Sequence, residues 1–277
     1  MNRLKILICL LLLSMFACEK ETRETETSQN ATATEESPLD NAPPSEGAAE
    51  ELAAETPAWA ELQIHGAMQR VNLDKDLSAT VKVAEALSTM NHGVGAVGGL
   101  LGEITVLDEN IYVARSGGDE VGFDHYTNAE DIGDLDATLL FGAQVDAWQE
   151  LELSEGTDRD ALVNALETWR NENAPGQPVP FRVMDPAANV NWHVVDATRF
   201  PEGGAANCEE RKELSHQFEH SGVEVTVVGI YTTEHTGVIV DHTTPMHAHV
   251  VLAAGPGGHL DTFTLSEGAR LMVPATP

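Results

Sequence analysis

Along this chain hydrophobic and polar positions alternate more often than they recur at helical spacing. From Ala58 to Val71 the apolar positions Trp59, Leu62 and Ile64 suit a strand. Thr80 to Met90 has helical spacing through Val81, Val83, Ala84 and Leu87, with Ser78 or Thr80 available as a cap. Asn91 to Gly99 is too rich in glycine for a helix. Leu101 to Val106 and Ile111 to Ala114 read as a hairpin around Asp108-Glu109-Asn110. Ala137 to Val145 is a further apolar run. Arg159 to Arg170 places Ala161, Leu162, Ala165, Leu166 and Trp169 on one side of a helix. Strands are expected at Val179–Met184, Trp192–Val195, Val223–Tyr231, His247–Leu252 and His259–Leu265. The pattern predicts an α+β fold of mixed, largely antiparallel sheets with few helices. There is no internal repeat.

The beginning of the chain has a different character. Arg3 and Lys5 precede an apolar run from Ile6 to Phe16, too short to span a bilayer as a stable helix and suited to an export signal. The run ends in Met15-Phe16-Ala17-Cys18, and a small residue just before a cysteine resembles the bacterial lipoprotein cleavage box. Residues 1–18 are therefore read as a signal with Cys18 as the lipidated residue; the plainer reading is a secretory signal with an incidental cysteine. From Glu19 to Pro57 the composition is mostly Glu, Thr, Ala, Ser and Pro, which cannot bury enough surface to offset ordering entropy, so a disordered acidic tether is expected. Residues 58–277 remain for one domain, divided at about 175 into an N-terminal half and a C-terminal metal-binding half. The expected location is the bacterial cell envelope, periplasmic or at the cell surface, with membrane contact through the lipid anchor only.

Charge and cysteine content narrow the classes. A formal net charge of -30 is the wrong sign for nucleic acid and for anionic headgroups. Of the 3 cysteines, Cys9 lies within the signal and Cys18 at its end, leaving Cys208 alone in the body as an inert thiol. The glycine-rich stretch Asn91 to Gly99 lacks the Lys-Ser/Thr of a phosphate loop and does not run from strand into helix, so it is no nucleotide site.

The candidate chemistry lies near the C-terminus, in His247-Ala248-His249 and Gly257-Gly258-His259. Residues i and i+2 of a strand share a face, and the Gly-Pro and Gly-Gly between them mark a tight return. Three neutral imidazoles converging with an open position can hold a catalytic divalent metal, zinc or another. The plainer alternative is histidines that satisfy sheet-edge hydrogen bonds. His242 is near enough to line such a site but reads more simply as a loop residue. His216 and His220, spaced i, i+4, would share a helix face as part of a solvated surface.

A family resemblance gathers these residues. Val83-Ala84-Glu85-Ala86-Leu87, His92-Gly93-Val94-Gly95, Leu101-Gly102-Glu103-Ile104 and Tyr112 resemble the N-terminal signature of α-acetolactate decarboxylases. Gly222 to Tyr231, Pro245 and the two histidine motifs resemble their C-terminal half. Plant and prokaryote conserved domains carry a similar histidine hairpin. The resemblance implies that His247, His249 and His259 bind zinc, and that Glu103 reaches the same site as a proton shuttle. It also exposes two departures. Where the family has an arginine implicated in substrate binding, this chain has His193, with Arg182 and Arg199 as conceivable substitutes. The family's tail glutamate has no match, since Glu267 reads as a turn residue.

The implied function is metal-dependent decarboxylation of a small hydroxy-keto acid such as 2-acetolactate, with Glu103 and His193 as catalytic candidates. The competing reading is a non-catalytic lipoprotein of the same fold that binds a metal or small ligand. The sequence leaves a homodimer open.

Overall fold

Two antiparallel sheets, packed through their apolar faces, carry the chain. The computed structural model describes residues 58–205 and 207–276, within one compact unit. The segments read from the sequence as an export signal and an acidic tether, with Cys18 between them, lie outside the described residues.

The first part of the chain supplies strand β1 (Gln63–His65), helix α1 (Met68–Asn72), strand β2 (Val81–Lys82), the single turn α2 (Val83–Ala86), and strands β3 (His92–Val97), β4 (Gly102–Leu107), β5 (Asn110–Ser116), β6 (Val121–Tyr126) and β7 (Asp136–Ala143). These strands form one sheet in the order β1-β7-β3-β4-β5-β6, with β2 beside β7. The segment from Ala58 to Val71, expected as a strand, divides into a 3₁₀ turn at Ala58–Ala60, β1 and α1. The helix expected over Thr80–Met90 shrinks to α2. Val81 and Lys82 pair with Ala137 and Asp136 instead, and at the other end the Ser88 and Thr89 hydroxyls donate to the Glu85 and Ala86 carbonyls.

The glycine stretch proves to be β3, a strand with both neighbours pressed close. A Cβ at Gly95 would sit 2.2 Å from the Leu139 carbonyl oxygen, so glycine is the residue that lets β7 approach. The hairpin of β4 and β5 turns at Asp108, whose φ of 57° is tolerated by aspartate.

The second sheet takes strands β8 (Trp148–Glu152), β9 (Val179–Val194), β10 (His216–Tyr231), β11 (Met246–Leu252), β12 (Gly257–Thr264) and β13 (Arg270–Pro274), together with helices α3 (Arg159–Asn173) and α4 (Cys208–Leu214). The chain changes sheets between Ala143 and Trp148, earlier than the halves read from the sequence, so β8 and α3 belong with the second sheet. Its order is β10-β11-β12-β9-β13-β8, and β10 also pairs with β9, which closes β9, β10, β11 and β12 into a ring. Apart from an isolated parallel bridge between Thr236 and Val240, every strand pairing is antiparallel.

Helix α3 follows its pattern. Asp158 caps it by accepting from the Ala161 amide at 3.0 Å, and Leu162, Leu166 and Trp169 are buried against the second sheet. His216 and His220 lie on β10 rather than on a helix, because α4 ends at Leu214 where Ser215 bonds back to Arg211 and Lys212. His216 meets the buried carboxylate of Asp196, and His220 Nδ1 accepts from the Trp192 indole at 3.2 Å. A separate apolar cluster joins the sheets: Ala96, Leu139 and Phe141 from the first pack with Ile230 of the second and with Val195 and Ile239 from the segments that follow its strands β9 and β10.

Candidate metal centre and cavity

The hairpin of β11 and β12 sets the three histidines. His247 and His249 are two apart on β11 and share a face, and His259 stands directly opposite His249. Their ligand atoms all lie within 4.8 Å of one another. The two glycines before His259 are a steric requirement. A Cβ at Gly257 would fall 2.3 Å from the Val250 carbonyl oxygen, and one at Gly258 would fall 2.5 Å from that of His193.

Neighbouring groups orient the rings. His247 Nδ1 donates to the Ile239 carbonyl at 2.8 Å, which leaves Nε2 as the lone-pair nitrogen. His249 Nδ1 meets the Thr105 hydroxyl at 2.9 Å, while its Nε2 is buried with no hydrogen-bond partner. Burial and the neighbouring imidazoles hold His249 and His259 well below the usual histidine range, and burial lowers His247 too. All three rings are therefore neutral near pH 7, the form that ligates a metal. An orphaned buried nitrogen within a trio of neutral imidazoles fits a divalent cation. It fits structural histidines poorly, since such nitrogens are normally satisfied.

Glu103 projects from β4 to the same place. It is buried, its Oε1 accepts from the Val195 amide at 3.1 Å, and its Oε2 lies 3.6 Å from His249 Nε2. Burial pushes its pKa up to about 8, against the opposing pull of the Val195 amide and the Arg211 charge. A protonated carboxyl facing a neutral imidazole at that distance is a contact and not an ion pair.

His193 on β9 stands opposite His259, with ring centroids 4.9 Å apart. Its Nδ1 lies 3.0 Å from both oxygens of Asp261, so the aspartate fixes the ring's orientation. Lys212 Nζ approaches the same carboxylate at 3.5 Å. No motif or spacing singles out Asp261 along the chain.

Arg182 does not enter this site. Its guanidinium forks onto Asp108 at 2.8 and 2.6 Å and lies over the Trp148 ring at 4.2 Å. Arg199 lines a separate depression with Phe123 and Phe218. Glu267 is exposed in a turn away from the histidines. Instead, Arg159 from the start of α3 and Arg211 from α4 line the cavity, neither suggested by any motif. His242 is exposed and lines the cavity with Asp241 and Thr243. Cys208 is not isolated: its sulfur meets Arg211 Nη2 at 2.9 Å and Asn72 Nδ2 at 3.6 Å.

The cavity has a volume of about 510 Å³. His193, His247, His259 and Glu103 lie on its wall, and His249 stands behind them, fully buried. The arrangement can hold a metal with three nitrogens, place one buried carboxyl beside it, and present cationic groups from α3 and α4.

Comparison with known proteins gives a family and a shared fold. The family model described as alpha-acetolactate decarboxylase matches residues 68–276. Among solved structures, the chain is similar to alpha-acetolactate decarboxylase from Bacillus subtilis strain 168, with a TM-score of 0.60 and 16% identity over 77% of this chain and 84% of that one. Acetolactate decarboxylase from Bacillus subtilis subspecies spizizenii gives a TM-score of 0.59 and 16% identity, covering 77% of this chain and 85% of that one. A protein of unknown function similar to alpha-acetolactate decarboxylase, from Staphylococcus aureus, gives 0.58 and 17% identity, covering 76% and 84%. At these identities the likeness is one of fold. No curated protein matches the sequence.

Proposed function

Because the chain belongs to the alpha-acetolactate decarboxylase family, we propose that it is a metal-dependent decarboxylase of a small 2-hydroxy-3-oxo acid such as 2-acetolactate, giving acetoin and carbon dioxide. The observation that carries this reading is the orphaned Nε2 of His249, set among neutral imidazoles and beside the buried carboxyl of Glu103.

His247, His249 and His259 would hold zinc or another divalent metal. When bound, such an ion supplies Lewis-acid stabilisation for negative charge developing on the substrate's oxygens. The residues do the rest. As the bond to the carboxylate breaks and carbon dioxide leaves, its electron pair stays on the adjacent carbon. Glu103, held in place by the Val195 amide and facing His249, would deliver one proton to that carbon from its protonated form and be reprotonated from solvent. His193, its Nδ1 turned to Asp261, keeps Nε2 available to hydrogen-bond a substrate oxygen beside His259.

One observation favours a second reading, a metal- or ligand-binding protein without turnover. A single imidazole at His193 replaces the planar fork that suits a carboxylate, and Arg182 is committed to Asp108. Metal content and carbon dioxide release, measured together on the full chain with 2-acetolactate, separate the two. Turnover that vanishes in Glu103→Gln while metal stays bound supports the enzyme. Bound metal with no release from the wild type supports the binder.

The basic start at Arg3 and Lys5, the apolar run from Ile6 to Phe16 and the Ala17-Cys18 that follows it support a lipid-anchored envelope protein. No described helix is long and apolar enough to cross a membrane. A Cys18→Ala chain that still partitions with membranes would refute the anchor.

A further inference from the structure

The cavity wall has a polar part and an apolar part, and the small acid proposed above would fill only some of the space between them. The polar part includes His193, His247, His259, Glu103 and Arg211. Met68 and Val71 of α1, Leu100, Leu139 of β7, and Ile239 and Val240 supply the apolar part. Five of these six belong to the buried cluster that joins the sheets, and Met68 packs against it. At about 30 Å³ per liquid water, a volume of about 510 Å³ leaves room for many waters beside a small acid. Cavities of this size, apolar with a few placed polar groups, suit considerably larger ligands.

The charged side chains on the wall are unequal. Lys212 is paired with Asp261, and Arg159 donates to the carbonyls of Leu260 and Asp261. Asp241 accepts from Thr243. Arg211 differs: its guanidinium meets the Asn72 amide and the Cys208 thiol, both neutral, and its charge is felt at Glu103 and at His247. A half-buried guanidinium with neutral partners in the polar part is suited to a ligand carboxylate.

We propose that this cavity takes a 2-hydroxy-3-oxo acid bearing an alkyl substituent of several carbons, its carboxylate on Arg211 and its tail on the apolar wall of α1, β7 and Ile239–Val240. The inference rests on the decarboxylase reading for the head group and adds the tail. The tail would contribute affinity remote from the reacting bond.

The test uses the zinc-loaded full chain and two hydroxy acids that lack the keto group and cannot decarboxylate: 2-hydroxy-2-methylpropanoate and 2-hydroxy-2-methylhexanoate. Each methylene moved from water to an apolar wall favours binding roughly fourfold. Calorimetric titration should therefore show the hexanoate binding at least about tenfold more tightly. Val71→Phe on α1 and Leu139→Phe on β7 add bulk to the apolar part of the cavity, and in each folded variant that preference should shrink towards unity. Arg211→Met should weaken both acids alike and leave the preference intact. Equal affinity for the two acids in the wild type, or no measurable binding of either, overturns the proposal. So does a preference untouched by both filling variants, and Arg211→Met binding both acids normally overturns the carboxylate contact. Carbon dioxide release from 2-acetolactate is read separately. Release without any tail preference sinks this inference and spares the decarboxylase; tail preference without release does the reverse.

Discussion

His249 is the side chain on which the metal reading turns, because its Nε2 is buried and has no partner within the protein. His249→Ala should abolish stoichiometric zinc binding, as measured by elemental analysis after dialysis. Thr105 acts one step further out, on His249 Nδ1. Loss of such an orienting contact typically lowers metal affinity about 10–100-fold, so Thr105→Val should keep the fold and lose metal in a competition assay with a chelator. Full affinity in both variants would mean that the imidazoles serve the core. The trio was legible in the sequence because alternation alone puts His247 and His249 on one face, and the glycines signalled the return to His259. Glu103 needed the family resemblance. Asp261 and Arg211 could not be read at all. Each meets a partner distant in the chain: Asp261 against His193, and Arg211 against Asn72. Arg182, conceivable as a substrate ligand from its type, is instead held by Asp108 and Trp148.

At the scale of elements, the hairpin of β11 and β12 is what turns residue types into a site, and its precision depends on glycine. Gly258 lies where β12 meets β9: an added Cβ would be 2.5 Å from the His193 carbonyl oxygen and 3.0 Å from the Trp192 ring. Backbone cannot yield as a flexible side chain does, so Gly258→Ala must push β12 from β9. Overpacking of this kind costs about 1–3 kcal/mol, and for a domain of this size each kcal/mol lowers Tm by roughly 2–4 °C. The displaced strand carries His259, so zinc affinity should fall together with Tm. A variant that loses stability and keeps full zinc affinity would show that the register of β12 does not set the site. The same dependence on contact explains which elements the pattern revealed. Helix α3 buries one regular face, and strands β7 and β11 are buried on both faces and stand out as apolar runs, so all three were visible. The edge strands β6 and β8 expose much of theirs and left no periodic signal. Thr80–Met90 had helical spacing, yet pairing with β7 took its first residues into a strand.

Across the whole molecule the two sheets meet at a seam that the sequence did not disclose, although it did disclose their antiparallel character. His92 on β3 spans that seam, its ring nitrogen Nε2 donating to the Gly229 carbonyl of β10 at 2.9 Å. The ring is fully buried 5.1 Å from the Trp148 ring, and its Nδ1 faces Arg182 Nε at 3.4 Å. A second proton would have to enter between a buried ring and that guanidinium. Burial first, and Arg182 second, push the His92 pKa down to about 3, while Gly229 and the more distant Asp108 oppose the shift. In the unfolded chain the same imidazole titrates near 6.5. The unfolded state therefore takes up a proton that the folded state refuses. The contribution is complete above about pH 6.5 and is lost progressively as the pH falls towards 3. By pH 5 the loss should reach about 2 kcal/mol, at about 1.4 kcal/mol per pH unit. His92→Gln keeps a donor for Gly229 and cannot titrate. Urea midpoints of metal-free wild type and variant, compared between pH 7.5 and 5, isolate the effect because the buried metal-site histidines are common to both. The wild type should lose stability more steeply than the variant over that range. Parallel losses would place the acid sensitivity at other groups and leave the seam insensitive to pH.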